Sequence, residues 1–441
     1  MSHIQGGGTA STHPASQSQT SYRKVSQSTL FNLDDHVVLS VEGTGDSRSV
    51  LVEPLNPEAP CPECGVFSRR IQARPVHRVK DIACGGQGLE VMVKKRRLVC
   101  QEDACPKRTF VQVTDQIPLR SRLTTRLVGE IVEAAIHELR AITGIARAHR
   151  VSWPTVMRKL LVTEKIVLDV DQRLVRQLGV DEHRFRRVRF VLGTTGKMMR
   201  VEPWSIVFTD LSTGTILDVV DGRRGKAVTT WMAQRPASWK RNIEYVAMDM
   251  SAEFRKAIRD SLPEVRISVD HFHIIQRANQ MINAVRRRRS HDLNDRRGKM
   301  IDPAYRYRKL LACNIEKLSN KQTDRLRDVL ASDAELGVVY AIKEHVRDLL
   351  KTRDRDSFTE AWEKLQASVK ATSMHEAKSL FRTLTAWKTE LETFCLTRLT
   401  NARSEAANLT AKNMKRIGRG YVNHENYRWR ILLYTARLRP C

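Results

Sequence analysis

Acids are scarce in this chain: 49 Asp and Glu stand against 76 Lys and Arg, aromatic residues make up only 6% of 441 positions, and there are eight cysteines. Eight cysteines over such a length exclude a disulfide scaffold, and five of them crowd into residues 61–105, which points to metal binding in a reducing compartment. No run of eighteen apolar residues occurs, so no membrane-spanning helix is expected. The first residues lack an apolar leader core, and a cytoplasmic setting follows as the expectation. The shortage of acids leaves a net charge of +27 and a pI near 10.1, far beyond what solubility requires. A polyanionic partner is implied, nucleic acid before membrane, because no basic amphipathic helix with an aromatic face stands out. An apolar content of 41% is enough to fill the two to four domains that this length suggests.

Residues 1–27 are dominated by Ser, Thr, Gly, Gln and His, and read as a disordered tail. Alternation then begins: Val37 to Val41 and Ser49 to Val52 flank Gly43-Thr-Gly-Asp46, the pattern of a β-hairpin. Cys61-Pro-Glu-Cys64 and Cys100-Gln-Glu-Asp-Ala-Cys105 form two paired-thiol knuckles around strand-like sequence, a spacing suited to tetrahedral zinc. The second spacer is long, which leaves Cys84 and His77 as possible substitutes within the ligand set. A closed four-ligand ion is structural, and its expected task is to position DNA. Residues 119–165 are expected to be helical throughout, with Leu127, Ile131, Ala134, Ala135 and Leu139 in one stripe. Within them a second short helix, Ile145 to His149, follows Gly144, and Val151-Ser-Trp-Pro154 leads into a third run from Thr155. Ser152 suits the cap and Pro154 the first turn, so the spacing is that of a helix-turn-helix offering Thr155, Arg158 and Lys159 to DNA.

Two short apolar runs, Tyr245 to Met248 and Val265 to Val269, bracket a helix-like stretch capped by Ser251, giving a strand–helix–strand unit. The first run ends in Asp249. An acid at the C-terminal edge of a buried sheet stands where ligands of open α/β sheets gather, although it can also be a plain turn former. Upstream, Leu178-Gly-Val-Asp181-Glu-His183 is another apolar run ending in acids, followed by strands near 189–192, 205–208 and 215–220 and a helix near 228–234. Antiparallel strands, then a helix, then further strands match the order of an RNase H-like fold, with Asp181 on the first strand and Asp249 on the fourth. Asp270, with His271 and His273, ends the fifth and forms a rival or accessory constellation. Positioning is the expected role of Asp270. Past Gln276 about 120 residues read as helical, with Arg286 to Arg289 taken as an exposed, phosphate-facing cluster and Trp362 and Trp387 as core. On the last helical piece Glu405, Asn408 and Lys412 share a face.

Cys61-Pro-Glu-Cys64-Gly with Cys100 and Cys105, Leu178-Gly-Val-Asp181-Glu-His, Met248-Asp249-Met-Ser-Ala-Glu-Phe-Arg, Val269-Asp-His-Phe-His273, Asn401-Ala-Arg-Ser-Glu405, Gly420-Tyr421 and Asn426-Tyr-Arg-Trp-Arg430 occur in that order. Together they resemble the DDE transposases of bacterial insertion sequences, most closely the ISL3 family, over nearly the whole chain from about residue 30. Ala406 follows the glutamate where Gly is expected, and Thr400 stands where Ser is common; no acid is lost.

The resemblance implies that Asp181, Asp249 and Glu405 are the catalytic carboxylates and hold two Mg²⁺, or Mn²⁺, ions, beside a structural Zn²⁺ on Cys61, Cys64, Cys100 and Cys105. It implies an α+β multidomain chain: a zinc-binding β module (28–117), a helix-turn-helix domain (118–170), an RNase H-like mixed sheet (171–275), a large all-helical insertion (276–395), and a last catalytic helix with a basic C-terminus (396–441). The expected activity is binding of terminal inverted repeats followed by metal-dependent strand cleavage and transfer, by a homodimer or larger assembly on double-stranded DNA, near the nucleoid and away from membranes. Thr155, Arg158, Lys159, Arg286, Arg287, Lys412 and Arg416 are the expected DNA contacts. The competing class is a non-catalytic DNA-binding regulator descended from such an enzyme, which has no need of the three acids.

Overall fold

The computed structural model describes residues 31–44, 47–162 and 169–436, so the expected tail at 1–27 lies outside the described residues. Contacts divide the chain into two compact units that part after Ile131. Among the described residues, no helix is long and apolar enough to cross a membrane.

The first unit opens with the expected hairpin. His36–Thr44 pairs antiparallel with Ser47–Pro54, and Gln87–Lys94 and Val76–Cys84 extend these into a four-stranded sheet. Alternation drives this: Val50, Val52, Val91 and Val93 point to one buried face, where they meet Leu33 and Ile117. A smaller sheet of Ile71–Ala73, Arg97–Val99 and Thr109–Val111 carries the second cysteine knuckle on its final turn.

The stretch divides into three helices, as expected, but the first is shorter than its sequence suggested and the second starts three residues earlier, at Ile142 rather than Ile145. Thr124 Oγ accepts the backbone N–H of Leu127 and so starts a helix only at Thr125 (Thr125–Ile136). Leu139 has a left-handed backbone, φ 56°, which breaks the run before Ile142–Ala148. Ser152 then accepts the N–H of Thr155 (3.3 Å) and begins Trp153–Val162, with Pro154 in the first turn, as its sequence foretold.

The second unit is built on a five-stranded mixed sheet: β1 (Gln177–Arg184), β2 (Trp204–Asp210), β3 (Thr215–Asp221), β4 (Tyr245–Met248) and β5 (Arg266–Val269), in the order β3-β2-β1-β4-β5. The first three are antiparallel neighbours; β1, β4 and β5 run parallel. Parallel neighbours need a crossover, and Ala252–Ser261, capped by Ser251, supplies it between β4 and β5. Both faces are covered, which is why these strands read as almost unbroken apolar runs. On one face Phe208 stacks on Trp231 at 3.8 Å within the main core. The other face packs Val207, Ile216 and Val219 against Ala407, Ala411, Tyr427 and Ile431, from the helices Ala402–Ile417 and His424–Ala436.

Between β5 and the helix Ala402–Ile417 the described chain is helical. It begins with the 24-residue helix His271–Asn294 and ends with Lys388–Thr397. Trp362 and Trp387 are buried there, as expected. The arginine cluster departs from expectation. Arg286 is buried with its guanidinium over the Tyr305 ring, Arg288 pairs with Glu335 and Glu376, and Arg289 pairs with Asp333; Arg287 is exposed. Consecutive residues on a helix face different ways, so a run of four arginines cannot lie on one surface.

Gly179 sets how closely the helix Ala402–Ile417 approaches the sheet. A Cβ there would stand 2.0 Å from Ser404 Oγ and 2.7 Å from Leu211 Cδ2. Gly179→Ala is expected to cost about 1–3 kcal/mol by overpacking, with Ser404→Ala in the same chain recovering part of the loss. Urea unfolding of the two variants checks this.

Candidate functional site

Register places the acids. Val180 pairs with Met248 and Met248 with Val269, so Asp181, Asp249 and Asp270 occupy corresponding positions on β1 and just beyond β4 and β5. Neighbouring strands lie about 4.8 Å apart, which makes Asp181 and Asp249 adjacent and sets Asp270 one strand farther out. Glu405 arrives from the helix Ala402–Ile417, in its first turn and exposed.

Neighbouring charge acts on two of these carboxyls. Burial and the Asp249 charge push the Asp181 carboxyl up to about 6. Burial, with the Asp270 and Asp249 charges, raises Glu405 as well. Opposing charge comes from His273, whose Nε2 stands 3.0 Å from Asp249 Oδ2; that pairing lifts the imidazole to about 9 and leaves it a cation at neutral pH. Asn401 Nδ2 also lies 3.4 Å from Asp249 Oδ1.

Asp270 is occupied differently. It is buried and caps the helix His271–Asn294, accepting the Phe272 N–H (2.9 Å) and facing His271 Nδ1 (3.2 Å). Burial pushes its carboxyl up, but the His271 and Phe272 contacts outweigh this and hold it below the usual range. His271 itself stacks on Phe394.

A buried chain of hydrogen bonds holds Asp181 from behind. Asn408 Nδ2 donates to Asp181 Oδ2, and Asn408 Oδ1 faces His183 Nδ1 at 3.0 Å. His183 Nε2 meets the Tyr427 hydroxyl at 2.7 Å; that hydroxyl also lies 3.2 Å from the Ala411 carbonyl. Burial drives His183 down to about 4, so the ring is neutral and has a single N–H. Since an ionised carboxylate only accepts, Asn408 turns its amide to Asp181 and its carbonyl to His183, which puts the ring proton on Nδ1. Sequence reasoning placed Asn408 on the Glu405 face and quoted His183 and Tyr427 in motifs without giving any of them a role. The available signal was spacing: His183 is two residues beyond Asp181, on the same side of the strand.

The remaining motif residues near the C-terminus are structural. Arg428 pairs with Asp218 of β3 (2.5 Å), and Arg430 donates to the carbonyls of Ala135 and Arg140. Lys412 and Arg416 are exposed on the helix that carries Glu405. In the helix-turn-helix, Val156, Met157 and Leu160 are buried, Arg158 is exposed, and Thr155 and Lys159 are half-buried.

In the first unit the sulfurs of Cys61, Cys64, Cys100 and Cys105 all lie within 4.8 Å of one another, with Cys61–Cys105 at 3.9 Å and Cys64–Cys100 at 3.5 Å. Four sulfurs about 2.3 Å from a tetrahedral ion would be about 3.8 Å apart, so the cluster is compatible with zinc. Backbone N–H groups of Cys64 and Glu63 help lower Cys61 to about 7, while burial and the neighbouring thiols hold Cys100 and Cys105 up. His77 binds the Ser121 carbonyl and Cys84 the Arg48 guanidinium, which removes both from the ligand set. Among the described residues no group of three carboxylates closes to the same spacing.

A mixed sheet with adjacent acids at one edge, a helix-turn-helix and a four-thiol cluster define a DNA-acting protein of the transposase class. Residues 178–431 match the family described as transposase, and residues 112–161 match the helix-turn-helix domain of transposase family ISL3. The chain belongs to the ISL3 transposase family. It is 22% identical over 388 residues to the transposase for insertion sequence element IS1001 of Bordetella parapertussis, covering 88% of this chain and 91% of that protein. A solved structure, the Drosophila P element transposase strand transfer complex, aligns over 70% of this chain and 92% of its own, at 9% identity and a TM-score of 0.34.

Two outcomes are expected. Purified protein carries one zinc per chain by elemental analysis, and Cys64→Ser loses most of it together with the melting transition of the first unit. Asp181→Asn stabilises the metal-free protein at pH 7.5 by roughly 2 kcal/mol. The sign follows from the raised carboxyl: native Asp181 favours folding fully below its ordinary 3.8, and that contribution is lost as pH rises through about 6. The variant's advantage, read from melting curves, therefore fades by about pH 4.

Proposed function

We propose that this protein is a DDE transposase that binds the terminal inverted repeats of its element and carries out metal-dependent DNA cleavage and strand transfer. The observation that carries the reading is the register of β1 and β4, which makes Asp181 and Asp249 neighbours while Glu405 senses Asp249 from a helix more than 150 residues later. The strand order β3-β2-β1-β4-β5, antiparallel and then parallel, supports assigning the domain to the RNase H-like class. On this reading the helices between β5 and Ala402 are an insertion, and the chain keeps the module limits read from its sequence, at 117, 170, 275 and 395.

The donor set fits divalent cations. Carboxyls held up by burial and by a neighbouring carboxylate, as Asp181 and Glu405 are by Asp249, gain from a hard dication, and Asp181, Asp249 and Glu405 would hold Mg²⁺ or Mn²⁺. Such ions, when bound, activate the attacking oxygen and stabilise the leaving oxygen of an in-line displacement at phosphorus. The chain's own residues set the geometry. Asn408, backed by neutral His183 and Tyr427, fixes the Asp181 carboxylate; Asn401 and the His273 cation fix Asp249; Asp270 fixes the helix end that carries His273.

Thr155, Arg158 and Lys159 would contact base edges and phosphates, with Arg287, Lys412 and Arg416 adding backbone contacts and the zinc cluster bracing the first unit. Arg286, buried against Tyr305, is left out of this surface. Joining two element ends calls for a homodimer or larger assembly on DNA, working in the cytoplasm at the nucleoid.

The test is incubation with Mg²⁺ and duplex DNA carrying the element's own ends, beside scrambled DNA and Glu405→Ala. Cuts at the element boundary are expected from the unaltered protein, with at least a hundredfold loss in the variant and no loss of binding. Specific binding without cutting in Mg²⁺ or Mn²⁺ would assign the protein to the regulator class instead.

A further inference from the structure

A cavity of about 770 Å³ opens where the far end of β1 meets the C-terminus of the Glu405 helix. Arg186, Arg187, Arg189, Lys415, Arg416 and Arg419 line it, and no acid does. Two of these cations stitch its walls: Lys415 donates to the Arg184 carbonyl (2.9 Å), and Arg186 to that of Val422 (3.2 Å). The other four are exposed, and none makes an ion pair or side-chain hydrogen bond among the described residues. Elsewhere in this chain arginines commonly find carboxylates, as Arg288 and Arg289 do. Attraction to the helix C-terminus accounts for Lys415 and Arg416 but leaves Arg187, Arg189 and Arg419 unexplained, since they lie off the helix. Backbone geometry keeps this arrangement: Arg419 and Gly420 both have positive φ, 55° and 98°, and turn the chain around Tyr421 at the cavity wall.

We infer that this cavity is a phosphate-binding site for the DNA strand running away from the scissile bond, an assignment that rests on the transposase reading. Position supports it. Arg184 is three residues beyond Asp181 on a strand, about 10 Å, and Arg416 is eleven beyond Glu405 on a helix, about 16 Å. At about 3.4 Å of rise per phosphate along one strand, the cavity meets phosphates roughly three to five nucleotides from the carboxylates. Phosphate is the ligand because unpaired guanidiniums fork onto its oxygens, and because a sequence-independent contact needs nothing else.

The experiment measures how binding of the full chain to duplex DNA falls with salt, using an element-end duplex and an unrelated duplex of equal length. The variant replaces Arg187, Arg189, Arg416 and Arg419 by Ala; a charge-matched control replaces Lys364, Lys370, Lys378 and Arg382, exposed on helices beyond β5. Each lost phosphate contact lowers the slope of log K against log salt by about 0.9. The variant's slope is expected to fall by about 3.6 on both duplexes, and each single Arg→Ala by about 0.9, with the control changing by less than one. Phosphate ethylation three to five nucleotides from the cut interferes with binding of the unaltered protein and ceases to matter for the variant. A slope matching the control, or an unchanged ethylation pattern, overturns the site. Because the slope on unrelated duplex needs no cleavage, a slope loss without boundary cutting keeps the phosphate site while rejecting the transposase reading.

Discussion

Two carboxylates set side by side at neighbouring strand ends repel each other, and the second unit is arranged around keeping Asp181 and Asp249 there. Half-burial of Asp181 aggravates the repulsion, since a charge in a poorly hydrated edge is costly. Opposite charge is supplied sparingly, by one imidazolium against Asp249 and by Lys412 at longer range. The neutral amides of Asn408 and Asn401 do the rest, orienting oxygens without neutralising them. An arginine in either place would pair the acids and quench their demand for a cation. On the proposed reading, the surroundings as well as the acids leave negative charge for a divalent metal to meet.

That arrangement depends on a helix from the far end of the chain. Ala402–Ile417 delivers Glu405, Asn408 and Lys412, and it can lie close to β1 because Gly179 has no side chain to hold it away. The next helix locks it: Tyr427 reaches to His183, and Arg428 anchors to Asp218 on the edge strand β3. The helices between β5 and this element start at Asp270, whose capping of His271–Asn294 fixes His273 beside Asp249. The helical array therefore joins the site through its first turn, and its entry point doubles as a site wall.

Much of this was legible in residue order. Short apolar runs ending in acids marked β1 and β4 because a strand covered on both faces has few polar positions until its edge. Paired thiols marked the four-cysteine cluster, since few other arrangements bring four sulfurs together in a reduced chain. Ser152 and Pro154 marked the recognition helix through local capping chemistry alone. Expectation parted from structure where facing decided the outcome. Arg286 looked like surface in a run of arginines, yet its place on the helix turns it inward onto Tyr305. The first helix after residue 119 ends at Ile136, short of the break expected at Gly144, and Leu139 then takes a left-handed backbone that no local pattern announced.

By itself the sequence determined the main strands, the caps, the thiol pairs and the acids at the ends of β1 and β4, because those follow from periodicity and side-chain chemistry within a few residues. Tertiary structure alone decided that His183, Asn408 and Tyr427 form one chain behind Asp181, that His273 pairs with Asp249 while Asp270 serves as a cap, and that five arginines from two distant segments share a cavity without an acid among them. The physical reason is range. Hydrogen bonds and charge pairs act over a few ångströms, and the partners here lie up to 244 positions apart, so only the folded sheet and its covering helices bring them within reach.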